Sequence, residues 1–502
     1  MEIKFENKVL GSYREVFHQL RQIQENAETV VPDTNDDIGR IASVHTSVLL
    51  KSKDISGKGV SVSGEAGAVL LYITENGNSV SYLKIAKPFS LEYEISDLEA
   101  DTVPQINLRI SNAEARILNP RKVSVTFEIA AELSCYRPVL TEVETKLPEG
   151  CGPGIHAKYE SIELELPNAV CEKTFALNEQ YIFPSGKPLP SELVFQTADF
   201  CIDESQHIGS KIIIKGRVNT EVCYLSQDTN YPVRTEFSTG FSQIIDTGEE
   251  EMDSCTAVIC LTSVYCELID TINSEKALDC ELHALIQVVS RCRRRINYIS
   301  DAYSNIMPAE CTVKSSQISE VSGMLSTKMN ADELVSVSDD FSDVLSVFAS
   351  LTQVSALRSG FSAGVCFDII YMGKDGLMSC ARRIVNLEQN CAEINARVMN
   401  CSMEDMDIRP EGGELRCRLS LNICYQSSRV RELSRVTELE LNEDERYDVS
   451  ACPAVSLVHR DNEELWELAK SYHSSIESIE KMNSAGENEG KNLLLIPREM
   501  QV

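Results

Sequence analysis

Positive charge is scarce in this chain: 47 Lys and Arg stand against 77 Asp and Glu among 502 residues, a formal net charge of −30. Such a balance disfavours nucleic acid or an anionic lipid surface as the main partner. The basic run Arg291, Arg293, Arg294 and Arg295 reads as a solvated strand end paired with nearby acids, with a docking patch for an acidic partner as the sharper alternative. No apolar run approaches the roughly 18 residues that span a bilayer. The start, Met1-Glu2-Ile3-Lys4-Phe5-Glu6, does not read as a secretory leader, so the chain is expected to stay in the compartment that makes it. The 18 cysteines show no paired CxxC spacing of the zinc or thioredoxin kind. They read as structural thiols, Cys280 and Cys417 among them on inward strand positions, with oxidative crosslinking in a late extracellular assembly as the alternative.

Motifs of catalysis are missing too. The seven histidines are scattered, with no HExxH and no close pair on a predicted helix face, and no G-x-S-x-G elbow occurs. Gly486 to Lys491 approaches a phosphate loop but is a residue short and lacks the Ser or Thr after lysine. Dispersed acids fix no separation for a glycosidase pair. No enzymatic activity, metal or cofactor is therefore expected.

What the chain does have is repetition. Val60, Val62, Gly64, Ala66, Ala68, Leu70 and Tyr72 share one parity. The pattern returns as Ile212, Ile214, Gly216, Val218, Thr220, Val222 and Tyr224, and again as Phe361, Ala363, Val365, Phe367, Ile369 and Tyr371. A polar turn follows each tyrosine. Phe89 follows Gly64 at the interval by which Phe241 follows Gly216, whereas the third copy offers only Val385 and Leu387. Closing strands alternate from Val123, from Leu278 and from Leu415. One apolar face per strand implies antiparallel sheets packed on one side, closed as a sandwich or partly open barrel. Gly64 and Gly216 are expected to mark a bulge or bend that lets one strand serve two sheets. Asp37, Glu192 and Asp343, which open the copies, read as turn or cap residues, with a recurring carboxylate site as the alternative.

Ahead of the repeats, Val16, Leu20 and Ile23 predict a helix over Ser12 to Ala27. The expected fold is mainly β. It has an N-terminal helical arm over 1–30, three repeated antiparallel sandwich- or barrel-like modules over 31–160, 161–305 and 306–445, and a small βααβ domain over 455–498. Pro138 to Pro153 reads as a linker or a β arm between modules.

In the tail, Leu457-Val458-His459 predicts a strand, Asp461 with Glu464 and Ser474 with Glu477 predict two capped helices, Asn483 ends the second, and Asn492 to Pro497 returns as a strand. With Leu465-Trp466-Glu467-Leu468-Ala469-Lys470-Ser471-Tyr472 and Leu493-Leu494-Leu495-Ile496-Pro497, this segment resembles a LysM domain. The resemblance implies a binding groove at Arg460, Asp461, Asn462, Glu463, Glu464, Trp466, Asn483, Glu487 and Asn488. Trp466, the chain's one tryptophan, reads as helix packing before ligand stacking. Where the family carries Gly-Asp-Thr or Gly-Asp-Ser before Leu-Trp, this chain has Asn462-Glu463-Glu464, and Glu487 and Glu489 add negative charge opposite. That favours docking of a protein over an N-acetylglucosamine polymer bearing anionic peptides.

The preceding modules resemble SPOCS domains, through Pro32-Asp33, Asp36-Asp37-Ile38-Gly39-Arg40-Ile41, Leu70-Leu71-Tyr72 and Asp301-Ala302-Tyr303-Ser304. The whole resembles clostridial spore-coat morphogenetic proteins that join SPOCS repeats to a C-terminal LysM. This resemblance implies a non-enzymatic scaffold made in the mother-cell cytoplasm. It would act at the forespore surface, tethering the coat to an ATPase-type basement-layer morphogenetic protein and other coat proteins. The rival expectation is a peptidoglycan-binding protein of the cortex or wall.

Overall fold

The computed structural model describes residues 2–499 apart from 58, 97, 152–153, 230, 272, 274, 339–340, 391–394, 412, 449–452, 460–462 and 484–492. After a short β1 (Glu2–Lys4), the first module comprises β2 (Glu6–Val30), β3 (Ile38–Ser56), β4 (Gly59–Thr74), β5 (Val80–Glu94), β6 (Val103–Asn119) and β7 (Lys122–Lys146). They form two antiparallel sheets, β3-β4-β5 and β2-β7-β6. Inward residues of both, such as Val60, Val62 and Leu70 against Val125, Phe127 and Ile129, make one core.

The second module repeats this order with β8 (Ile155–Ile182), β9 (Pro190–Ile208), β10 (Lys211–Ser226), β11 (Pro232–Asp246), β12 (Ser254–Asp270) and β13 (Lys276–Ser304). Its sheets are β9-β10-β11 and β8-β13-β12. In the third, the opening strand is split into β14 (Ala309–Val321) and β15 (Leu325–Ser336), followed by β16 (Phe341–Leu357), β17 (Gly360–Gly373), β18 (Met378–Asn390), β19 (Ala396–Glu411) and β20 (Glu414–Leu441). The third copy keeps the sheet β16-β17-β18, while β20 pairs with β15, β19, β14 and β1. Two short strands, β21 (Val455–His459) and β22 (Leu493–Pro497), pair antiparallel and enclose α1 (Leu465–Ser471) and α2 (Ile476–Asn483).

The N-terminal helical arm is not formed. Residues 6–30 are an edge strand of the first module, paired antiparallel with β7. The apparent helical spacing mixes the two faces of a strand: Ile23 packs on the core with Phe17 and Ala27, whereas Val16 and Leu20 are 41% and 44% exposed. A register shift between Glu15 and Phe17 further disturbs the period of two. Edge strands carry charge on their outer face, and that dilutes the apolar alternation.

Gly64 and Gly216 do lie opposite irregularities, but the extra residue sits in the neighbouring strand, at Lys51 and at Asp203, and β4 and β10 each stay within one sheet. The glycines serve a second purpose. Gly64 is directly opposite Phe89, and Gly216 opposite Phe241. A Cβ on Gly64 would lie 2.4 Å from the Phe89 ring, and one on Gly216 would lie 2.8 Å from the Phe241 ring. The phenylalanine therefore lies across the bare backbone. In the third module the same pair is Ala363 opposite Leu387, both buried. A larger residue on one strand is matched by a smaller one on its partner.

The central strands are long because each serves two bodies. β13 has 29 residues, roughly 95 Å at about 3.3 Å per residue. Beyond the modules, β7 with β2, β13 with β8, and β20 with β14 continue as three paired ribbons, so the arm expected after Pro138 is the end of β7. Leu10, Val143, Leu164 and Ile296 pack between the ribbons with Ile318, and Ile3, Phe5, Ile299, Val436 and Leu439 form a further cluster. A buried ion pair, Arg435 to Glu144 at 2.7 Å, links the third ribbon to the first. Glu320 accepts the Glu165 amide at 2.8 Å and so links the third to the second.

At the opposite end, alternation stops. Leu70-Leu71-Tyr72-Ile73, Val222-Cys223-Tyr224-Leu225 and Ile369-Ile370-Tyr371 are buried on both faces. One parity serves each module's own core. The other contributes Leu71, Ile73, Cys223, Leu225 and Ile370, which join Ala42, Phe195 and Phe348 in one apolar junction shared by all three modules. Tyr72 and Tyr224 also donate their hydroxyls to the carbonyls of Asp36 at 3.2 Å and Pro188 at 2.8 Å, pinning the loops ahead of β3 and β9.

Candidate functional site

The tail meets the second module at the far end of β13, and a bulge aims the contact. Register shifts between Ile299 and Asp301, leaving Ser300 unpaired. Ile299 and Ala302 thus both face the ribbon core, and Asp301 and Tyr303 turn toward the tail. Asp301 accepts the Trp466 indole N–H at 2.7 Å and the Lys470 ammonium at 2.7 and 2.9 Å. Trp466 and Lys470 are four residues apart on α1 and so share a face. Tyr303 meets Trp466 edge-on at 4.9 Å between centroids and donates its hydroxyl to the Ser474 carbonyl at 2.7 Å.

Neighbouring groups extend the contact. Lys158 on β8 pairs with Glu464 at 2.7 Å, His156 stacks on Tyr303, and Asn305 bonds Glu499. Glu499 also accepts from Ser478 at 2.6 Å and from Ser475. Burial alone would raise the Asp301 pKa, but hydrogen bonds from Lys470 and Trp466 and the lysine's charge outweigh it and hold the carboxyl below its ordinary range. Tyr303 is a full member of the tail's apolar cluster with Trp466, Leu468, Ala469, Ile479 and Ile496. The tail's core is therefore completed by a side chain from another module.

Within the expected groove, Trp466 is 6% exposed and faces β13, so it packs in the core. Asn483 is a latch: its amide donates to the carbonyls of Ile479 and Leu495, both at 2.7 Å, and its oxygen accepts the Leu495 N–H at 3.0 Å. Glu463 and Glu464 are exposed. Arg460, Asp461, Asn462, Glu487 and Asn488 lie outside the described residues. The helix starts differ from the capping boxes. Glu464, in extended conformation, is the N-cap of α1. Ser475 accepts the Ser478 amide at 3.2 Å, while the Ser474 hydroxyl donates to the Pro497 carbonyl.

A second concentration of polar groups lies among the modules, around a cavity of about 1590 Å³ lined by His45, Asp199, Glu221, Arg234, Arg382 and Arg397 among others. His45 stacks on Phe195 at 3.8 Å and meets Phe348 edge-on at 4.7 Å, one ring from each module. Enclosure and the nearby charges of Arg234 and Arg382 lower its pKa to about 3. Asp199 keeps accessible surface because it faces the cavity, yet protein surrounds it, and burial followed by the Glu221 charge raises its pKa. The arginines are engaged: Arg234 with Glu221 at 2.8 Å, Arg382 with Asp368 at 2.7 Å, Arg397 with Glu15 at 3.0 Å.

Several of these bonds cross between modules. Arg397 and Glu15 come from the third and first, as do Asn107 and the Met399 carbonyl at 2.7 Å. Lys53 reaches Glu172 at 2.6 Å and Gln287 at 3.0 Å in the second module. Buried Gln287 exchanges two hydrogen bonds with the Ile106 backbone, at 2.8 and 2.9 Å, in the manner of a strand neighbour.

The basic cluster divides. Arg293 and Arg295 are exposed, but Arg291 lies within β13 with 1% exposure, its guanidinium on Thr256 at 2.7 Å, so the solvated reading fails for it. The three opening acids have separate uses. Asp37 pairs with Arg121 at 2.7 Å and Glu192 accepts the Tyr82 hydroxyl at 2.5 Å, while Asp343 bonds the next amide at 2.9 Å. Only Asp343 acts as a local cap.

These features define a class: a mainly β chain of antiparallel modules locked around shared junctions. Residues 37–118, from just before β3 to near the end of β6, match the family model described as SipL, SPOCS domain. No curated protein and no solved structure matched the chain. The match supports the SPOCS resemblance for the first module and is consistent with a sporulation-related role. None of the helices among the described residues is long and apolar enough to cross a membrane.

Proposed function

We propose that the protein is a non-enzymatic scaffold of spore-coat assembly that tethers coat to the forespore surface from the mother-cell side. It does so through protein contacts of its three β modules and its LysM-like tail. The partner class is an ATPase-type basement-layer morphogenetic protein together with other coat proteins. The observation that carries this reading is the use of charged side chains as joints. Lys53, Glu15, Arg397 and Asp301 tie module to module or module to tail. The result is one body that presents several faces in a set arrangement.

The sugar-binding alternative loses weight because Trp466 is committed to Asp301 and Tyr303. Co-purification from sporulating cells, followed by identification of the bound proteins, is expected to recover coat-layer partners. In parallel, purified peptidoglycan is expected not to retain the chain. Retention that depends on residues 456–498 would overturn the proposal in favour of a wall-binding role.

A further inference from the structure

Two cysteines face one another in the second module. Cys266 on β12 is directly opposite Cys280 on β13, and their sulfurs lie 2.6 Å apart. That is inside van der Waals contact and little longer than a covalent S–S bond of about 2.05 Å. Directly opposed antiparallel residues also have Cα separations of about 4.5–5.5 Å, within the span a disulfide bridges. We propose that Cys266 and Cys280 are an oxidation site that closes into a disulfide, fastening the edge strand β12 to the central strand β13.

The equivalent cross-strand positions in the other modules are Ala115 opposite Val125 and Ile408 opposite Cys417. The pair is therefore particular to the second module, the one that also docks the tail. β12 is an edge strand, and Cys266 is half-buried beside the exposed Tyr265, so a small oxidant has a route to it. Cys280 is buried with Tyr181, Tyr224 and Leu278. A hydrogen bond with Cys266 and burial both push its thiol pKa up, which slows any attack by Cys280 itself on an external oxidant.

With oxidised glutathione as oxidant, the Cys266 sulfur attacks the S–S bond and releases one glutathione thiolate, leaving a mixed disulfide. The Cys280 sulfur then attacks Cys266 Sγ and releases the second. Two thiol protons leave, and two electrons pass to glutathione. The closed loop is short, and the link stabilises by restricting the unfolded chain and by holding an edge strand.

The test uses the full chain, folded, incubated with oxidised glutathione, blocked with iodoacetamide and digested with trypsin without reduction. Cleavage after Lys276 separates the two cysteines. The expected result is a linked peptide pair two hydrogens lighter than the sum, absent in Cys266→Ser, with a rise of several degrees in Tm that dithiothreitol reverses. Cys280 that remains fully alkylated, a persistent glutathione adduct on Cys266, or linkage of Cys280 to another cysteine would each overturn the proposal.

Discussion

At the head junction the three modules meet through Leu71, Cys223, Ile370, Phe195 and Phe348, a contact of aliphatic and aromatic surface. At the other end the tail meets the second module through a carboxylate, an indole N–H and an ammonium, backed by Tyr303. The first joint depends on area and shape, and tolerates salt. The second depends on the aim of a few polar atoms, and yields to changes of charge and salt. A scaffold built this way has a fixed platform and a tail held by separable bonds.

Breaking the apolar joint should have the largest effect. Leu71→Asp places an unpaired carboxylate where the native side chain is 0% exposed, and the expected loss is above about 5 kcal/mol, read as a lowered urea midpoint for the whole molecule. An unaltered midpoint would mean the modules do not support one another there. Trp466→Ala should cost roughly 3–5 kcal/mol, but locally. Hydrogen exchange should rise across 455–483 while β4, β10 and β17 stay protected; uniform exchange would erase the contrast between the two joints.

Acid sharpens the comparison by probing each joint through different groups. The folded pKa of His45, about 3, lies below its ordinary 6.5, so the junction has its full stability above pH 6.5. It weakens progressively as pH falls toward 3, because only the unfolded chain gains a proton. Asp301 is held below its ordinary 3.8, so its contribution persists above that pH and fades as pH falls through the lower folded value. Between pH 6.5 and 3.8 the head should lose stability through His45, while the Asp301 bonds persist. Burial also lowers the pKa of His156 and His473 at the tail, so the dock weakens in the same direction through those rings. His45→Phe should flatten the head's response, measured by melting across that range, and a slope retained in the variant would exclude His45 as its source.

The smallest effect belongs to Lys470→Ala. Its ammonium is partly exposed, so after solvent screening the pair with Asp301 is worth about 1 kcal/mol. Raising the salt concentration should reproduce much of that loss in the unmodified chain. A salt response many times larger would show that the dock relies on a wider charge network.

Much of the architecture lies open in local pattern. The period of two over β4, β10 and β17, and the matching parity of β7, β13 and β20, place the inward faces correctly because strand burial is written into neighbouring residues. The head junction had a signal too: three or four consecutive apolar residues around each tyrosine mean burial on both faces. Strand β2 misled, because an edge strand with a mostly polar outer face and a bulge leaves three apolar residues at helical spacing. The tail dock had no such signal. Asp301 and Trp466 are each ordinary in their own segments, and neither announces the other.

The amino-acid sequence alone thus determined the mainly β character, the threefold repetition and the order of the tail's elements, since each arises from residues adjacent along the chain. Tertiary structure alone decided that Trp466 binds Asp301, that Arg291 is buried, that His45 sits between two foreign rings and that Cys266 opposes Cys280. Those pairings depend on how long twisted strands, a bulge at Ser300 and three packed modules bring distant segments together, and no local pattern of polarity encodes that distance.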